Sequence, residues 1–217
     1  MTVTLFHTPG TRSVRPLWLL EEMGLPYELK TIGYDSAYFA SEDFRQINPM
    51  GKVPALYDGK TLIAESTAIL QYLLHRFGTS ELAVAPGDPE YASYLQWLHM
   101  AEGGMANYVA VSFGHTLSKD PYKVSEAFDA YCRYQLEKAL GMLETQFDGQ
   151  EYLLKRGFSA ADISLGYSLI FAQGTIGGAF TDRVDAYLGR LMARPALQRA
   201  LADVPENPFG SLTEDVA

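Results

Sequence analysis

Residues 48–67 read NPMGKVPALYDGKTLIAEST. Two short apolar runs, VPALY (53–57) and TLIA (61–64), flank Asp58-Gly59, a pair that signals a tight β-hairpin. Directly after them, STAILQYLLHRFG (66–78) carries apolar residues at helical spacing, with Ser66 or Glu65 near its start and Gly78 at its end. Upstream, VTLFH (3–7) predicts a strand and VRPLWLLEEMG (14–24) an amphipathic helix, with Pro16 in its first turn and Gly24 at its close. YELKTI (27–32) predicts a second strand. So short a β-α-β unit implies a parallel pair with a right-handed crossover. A looser helical stretch, SEDFRQINPMG (41–51), leads into the hairpin. The whole order is β-α-β-α-β-β-α.

Residues 79–88, TSELAVAPGD, hold Pro86-Gly87 and no periodicity, and read as a linker. Everything beyond reads as helix. In YKVSEAFDAYCRYQLEKALGMLETQF, apolar Val124, Phe128, Cys132, Leu136, Leu140, Leu143 and Phe147 recur every three or four residues. Cys132 lies on that stripe, which gives it a packing role. DRVDAYLGRLMARPALQRAL supplies two further short helices broken at Arg194-Pro195. The expected organisation is an α/β domain over 1–78, a linker over 79–88 and an all-helical domain over 89–217.

Composition narrows the function. Across 217 residues, 47% are hydrophobic and 20% charged, the profile of a soluble globular protein. A formal net charge of -9 argues against nucleic acid as a partner, since phosphate contacts need clustered Lys and Arg. One cysteine rules out both an internal disulfide and a CxxC redox pair. MTVTLFHTPG lacks the basic start and apolar core of a signal peptide. The longest uncharged run, Ile163–Thr181, contains Ser164, Ser168, Gln173, Thr175 and four glycines, so a buried helix followed by a Gly-rich turn is expected rather than a membrane span. A reduced, cytoplasmic protein with no membrane partner follows as the expectation. The four histidines, at 7, 75, 99 and 115, show no ligand spacing, and no metal is expected.

The β-α-β-α-β-β-α order is that of a thioredoxin-like domain, and such a domain followed by an all-helical one resembles the cytosolic glutathione transferases. Four stretches carry the resemblance. NPMGKVPAL (48–56) resembles the family's glutathione-binding loop, which implies a cis bond at Pro54. A cis X-Pro bond turns the chain sharply, leaving the N–H and C=O of Val53 to pair with an extended peptide as another strand would. AEST (64–67) resembles the family's acidic-hydroxyl pair. Ser66 at the positive end of a helix would meet the γ-glutamyl carboxylate and Glu65 the ammonium group; the same residues would also serve as a plain N-cap. GFSAADISLG (157–166) has Ser159 and Asp162 at capping-box spacing, similar to the box of the family's buried C-terminal helix, with a role in folding. RSVRPLWLLEEMGLPYE (12–28) is similar to the first helix of many bacterial and fungal members.

The loop before that helix is where the family keeps a Tyr, Ser or Cys. Here the usual Ser or Cys position falls on Gly10, with Thr11 one residue on and Ser13 three on. A free thiol has a pKa near ~8.5. Lowering it by about two units takes roughly 2.7 kcal/mol of preference for the thiolate. One hydrogen bond to a charged acceptor supplies about 1.5–3 kcal/mol, and a helix N-terminus about 0.3–1 kcal/mol. One hydroxyl or backbone N–H is therefore enough. Thr11, through its hydroxyl or N–H, is the expected donor and Ser13 its alternate, although Ser13 also suits the N-cap of the first helix. Arg12 would add positive charge, Lys52 would reach the glycine carboxylate, and Arg15 reads as a packing or salt-bridge residue. His99, Glu102 and Asn107 are candidates to face the cleft, and Tyr108 and Phe113 are candidates for an acceptor pocket. Met50 sits where family members place an apolar key for a partner subunit, which implies a homodimer.

The resemblance thus implies a glutathione transferase that activates the glutathione thiol for attack on an electrophilic small molecule. The alternative is a non-catalytic glutathione-binding or assembly module with the same fold. Thiol–disulfide exchange would call for a cysteine in the opening loop, and none is there.

Overall fold

Every second residue of VTLFH, namely Val3, Leu5 and His7, turns to the buried side of a strand, as the period-two geometry of extended chain requires. In the computed structural model, which describes residues 2–33, 36–78, 81–117, 124–147, 149–177 and 180–204, this strand, β1 (Val3–His7), lies inside a four-stranded sheet. It pairs in parallel with β2 (Tyr27–Thr31) and antiparallel with β3 (Ala55–Asp58). β3 pairs antiparallel with β4 (Thr61–Ala64), giving the order β2-β1-β3-β4. The hairpin has a two-residue loop whose first residue, Gly59, has φ 60°, a left-handed value that glycine adopts at little cost.

Helix α1 (Val14–Met23) makes the crossover, with Val14 to Leu20 all buried. It ends at Gly24, φ 60°, whose N–H closes on the carbonyls of Leu20 and Glu21, a left-handed C-terminal cap. The single looser helix expected over 41–51 is instead two short ones, α2 (Ser36–Ala40) and α3 (Glu42–Ile47). The cause is Ser41: its Oγ donates to the Tyr38 carbonyl at 2.6 Å and accepts the Phe44 N–H at 3.2 Å. One side chain ends α2 and caps α3. Helix α4 (Ser66–Arg76) follows β4 directly.

Sheet register decides where the loops emerge. Phe6 faces Ala55, and Ala55 faces Ala64. The end of β1, the start of β3 and the end of β4 therefore share one edge of the sheet. Residues 8–13, 52–54 and 65–66 all leave from that edge.

The chain divides into two compact units. Residues up to Ala83 form the first unit, and the described residues from Arg194 to Val204 belong to it as well. Helix α10 (Pro195–Ala200) packs on α1 rather than with the helices before it. Two ion pairs hold it: Arg194 grips Glu22 through Nε at 2.6 Å and Nη2 at 2.8 Å, and Arg199 Nε reaches Glu21 at 2.5 Å. The break at Arg194-Pro195 is where the chain changes units. Of the expected linker, residues 79–80 lie outside the described residues, and Val84 already belongs to the second unit.

That unit comprises α5 (Tyr91–Met100), a π-helical stretch (Ala101–Ala106), α6 (Asn107–Leu117), α7 (Glu126–Gln146), α8 (Ala160–Thr175) and α9 (Asp182–Met192). The buried stripe of α7 is Cys132, Leu136, Ala139 and Leu143. Phe128, expected on it, is 50% exposed and stacks on Tyr131; Ser112 holds that first turn by its polar side through Asp129. Burial pushes the Cys132 thiol pKa up, with the charge of Asp129 adding to it, which suits packing.

Helix α8 is buried without interruption from Ala160 to Leu169, as an apolar helix at the centre of a bundle should be. Its serines serve its neighbour: Ser164 Oγ donates to Leu98 O at 2.8 Å and Ser168 Oγ to Ala101 O at 2.7 Å. Among the described residues no helix is long and apolar enough to cross a membrane; Gly178 of the expected Gly-rich turn lies outside them. At the head of α8, Asp162 accepts four hydrogen bonds, from Leu153 N, Tyr187 Oη, Ser159 N and Ser159 Oγ, at 2.8–3.0 Å. Burial pushes its pKa up while these four donors pull it down. Removing the carboxylate leaves buried donors unpaired. Asp162→Ala is expected to lower the unfolding free energy by about 3–5 kcal/mol, measured by urea denaturation; a loss below about 1 kcal/mol would show that water replaces the carboxylate.

Candidate active site

The opening loop begins with a tight turn. Thr11 N–H donates to Thr8 O at 3.2 Å, and Gly10 between them has φ 76°. Proline second and a left-handed residue third are the marks of a type II turn. A side chain at position 10 would be strained there, so the first side chain beyond the turn is Thr11. It is half-buried, with its Oγ donating to Thr8 O at 2.8 Å and lying 2.8 Å from Ser13 Oγ.

Ser13 departs from both expectations. It has no exposed surface, and its hydroxyl makes no cap to α1. Its Oγ accepts the Thr8 N–H at 3.1 Å and lies 2.8 Å from His7 Nδ1 and 3.1 Å from Thr8 O. The loop folds over it and encloses its hydroxyl. The third hydroxyl, Thr8 Oγ1, is buried and meets no partner among the described residues. Arg12 is half-buried and engaged within the chain.

His7 lies beneath the loop, 1% exposed. Burial lowers its pKa from 6.5 to about 4, against the opposing influence of Ser13 and the charge of Asp203. The imidazole is therefore neutral at pH 7.

At the same edge, α4 starts with Ser66, which is buried. Its Oγ accepts a hydrogen bond from Arg15 Nη1 at 2.9 Å, and Arg15 itself has no exposed surface. The preceding residue, Glu65, is exposed and makes no side-chain cap to the helix. Its φ of 69° is the one positive value among the described non-glycine residues. Such a conformation costs about 1–3 kcal/mol and is typical of ligand clamps. The first N–H groups of α4 have no intrahelical acceptor, so this corner combines a buried cation, a hydroxyl and the positive end of a helix.

The third segment is held from below. Asn48, buried, donates through Nδ2 to Lys52 O at 2.6 Å and accepts the Met50 N–H at 3.1 Å. Gly51, φ 62°, would bring a Cβ within 2.5 Å of Phe39 O. The Val53–Pro54 bond is cis. Lys52 is exposed, Val53 half-buried and Pro54 buried.

Sequence reasoning located the three segments and missed the residues that hold them: His7 and Asn48 entirely, and Arg15 in its role. The available signal was a charged residue inside the apolar run VRPLWLL. In the second unit His99 and Asn107 are exposed and Glu102 is half-buried. Tyr108 meets Tyr131, and Phe113 meets Phe171, each edge-on with centroids 6.3 Å apart. No group of three His, Cys, Asp or Glu among the described residues could hold a metal ion.

Residues 1–75 match the family model for the glutathione S-transferase N-terminal domain. Glutathione S-transferase 3 of Schizosaccharomyces pombe is 28% identical over 182 residues, covering 79% of this chain and 74% of its own. A sphingomonad glutathione S-transferase solved in complex with glutathione superposes with a TM-score of 0.76 at 29% identity, over 92% of this chain and 97% of its own. The chain thus carries a glutathione S-transferase N-terminal domain and resembles glutathione S-transferases along most of its length. The β-etherase LigF of a Sphingobium species is similar to it as well, with a TM-score of 0.79 at 25% identity over 93% of this chain and 99% of its own. These relatives make the chain an enzyme of the glutathione S-transferase type.

Two measurements check the energetics of this edge. Between pH 6.5 and about 4 the unfolded chain protonates His7 and the folded chain does not, so stability falls as pH drops through that window, by roughly 3 kcal/mol at 1.36 kcal/mol per unit. His7→Leu should remove that part of the slope, and an unchanged slope would mean that the buried imidazole titrates normally. Glu65→Gly should hold the unfolding free energy or raise it by up to about 1 kcal/mol, because glycine relieves the left-handed backbone; a clear loss of stability would place the value of Glu65 in contacts rather than in strain.

Proposed function

We propose that this transferase holds glutathione along the shared sheet edge and donates the Thr11 hydroxyl to its thiolate, which then attacks an electrophilic small molecule. The observation that carries the reading is the Arg15–Ser66 contact at the head of α4. A buried guanidinium polarises a hydroxyl at a helix N-terminus, an arrangement suited to a carboxylate. Glu65, exposed beside it, would take the ammonium group of the same γ-glutamyl end. One charged end of the tripeptide is thereby recognised.

The middle of the peptide would pair with the backbone of Val53, next to Pro54, in the manner of an added strand. Exposed Lys52 would meet the glycine carboxylate, and Arg12 would add positive charge near the sulfur. Thr11 is the one hydroxyl of the loop that is only half-buried. Its Oγ donates to Thr8 O in the free loop, and a thiolate, being charged, is the stronger acceptor. Thr8 O would retain the Thr11 N–H, so the exchange leaves no buried group unpaired. Met50, 65% exposed, supports a homodimer in which an apolar side chain is covered by a second copy.

The test is a pH titration of glutathione bound to the enzyme, followed by thiolate ultraviolet absorbance. The bound thiol should titrate well below the free value of ~8.5, and Thr11→Ala should raise the midpoint by about one to two pH units. A wild-type midpoint equal to that of free glutathione would refute activation at this site.

A further inference from the structure

Beneath Thr11 lies an unbroken file of hydrogen-bonding atoms: His7 Nδ1, then Ser13 Oγ at 2.8 Å, then Thr11 Oγ1 at 2.8 Å. We propose that His7 and Ser13 are positioning residues, the imidazole as its Nδ1–H tautomer donating to Ser13 and Ser13 donating to Thr11, so that the Thr11 proton is directed at the thiolate. The inference rests on Thr11 being the donor to the sulfur.

The available protons fix the direction of the file. Two hydroxyl oxygens 2.8 Å apart attract only when one proton lies between them. Ser13 has one proton and three acceptors in reach: Thr11 Oγ1 and His7 Nδ1 at 2.8 Å and Thr8 O at 3.1 Å. When Thr11 gives its single proton to sulfur, the proton between the two oxygens must belong to Ser13, and Thr8 O keeps the Thr11 N–H. Ser13 then has none left for His7, yet His7 Nδ1 stands 2.8 Å away, and that contact also needs a proton. It must come from the ring. The two lone pairs of Ser13 are thereby filled, one by His7 N–H and one by Thr8 N–H, and its hydroxyl is saturated with donors. With the opposite tautomer, Ser13 would donate inward and Thr11 could serve either Ser13 or the sulfur, but not both. Bonds aligned in one direction also polarise one another, which strengthens the outermost donor.

Burial supports the arrangement. Ser13 has no exposed surface and His7 is 1% exposed, so water does not compete for these protons. The charged group acting on the ring within its unit is Asp203, and burial outweighs it, keeping the ring neutral at pH 7. A neutral imidazole has one N–H, and its position sets the direction of the whole file.

Two readouts test this on the intact enzyme with glutathione bound. Ring nitrogen NMR of His7, assigned by its loss in His7→Asn, should report Nδ1–H. In the thiolate titration, Ser13→Ala should raise the midpoint by about half a pH unit, with affinity for S-methylglutathione unchanged as proof that the site is folded. Finding the Nε2–H tautomer overturns the proposal, and so does a Ser13→Ala midpoint equal to wild type while Thr11→Ala shifts it; in both cases the role of Thr11 stands. If Thr11→Ala itself leaves the midpoint alone, the donor assignment fails and the relay fails with it. Should Ser13→Ala not fold, the tautomer measured on the unmodified protein decides the matter.

Discussion

Arg15 is a cation with no exposed surface. Stripping a guanidinium of water costs several kcal/mol unless acceptors replace it, and Ser66 Oγ is one that does. The contact joins positions 51 residues apart and ties the first turn of α1 to the first residue of α4. Those two helix starts flank the edge where β1, β3 and β4 release their loops. A shift of α1 along the sheet would strand the charge, so the opening loop and the Glu65-Ser66 corner keep a fixed separation. Glu65 can be held in its left-handed conformation because the residue after it is anchored in this way.

The opening loop is organised by oxygen-bearing side chains. The turn needs glycine at position 10 for its φ of 76°, and the polar work moves to the neighbours. Three hydroxyls and an imidazole lie within residues 7–13, and the two that touch each other are arranged in depth. Ser13 lies inside, enclosed by Thr8 and His7, and Thr11 lies outside. The interior member gives the loop its shape and the exterior one remains available.

Much of this was legible in the sequence because it is local. The hairpin at Asp58-Gly59, the close of α1 at Gly24 and the Ser159–Asp162 pair are each set by residues within a turn of one another, and each appears where expected. The edge from which residues 8–13, 52–54 and 65–66 leave is set by the register between strands, which pairing and not local sequence decides. What escaped depends on contacts distant in sequence or on which side of a loop faces in. Ser13 resembles an N-cap to any local reading, and only the packing of His7 under the loop shows otherwise. Ser41 splits one expected helix because its oxygen serves two partners at once. The partner of Arg15 could not be inferred, since nothing near position 15 announces position 66.

The return of α10 to α1 bears on how the chain is made. Glu21 and Glu22 wait on α1 for Arg199 and Arg194, residues that leave the ribosome long after β1, β2 and the hairpin. Until then the first unit has all its strands but not its last helix. The outer side of α1 stays uncovered while the whole helical unit is synthesised. Chain order thus makes the last folding step of the first unit wait for the second unit to be made, and couples the completion of one half to the successful emergence of the other.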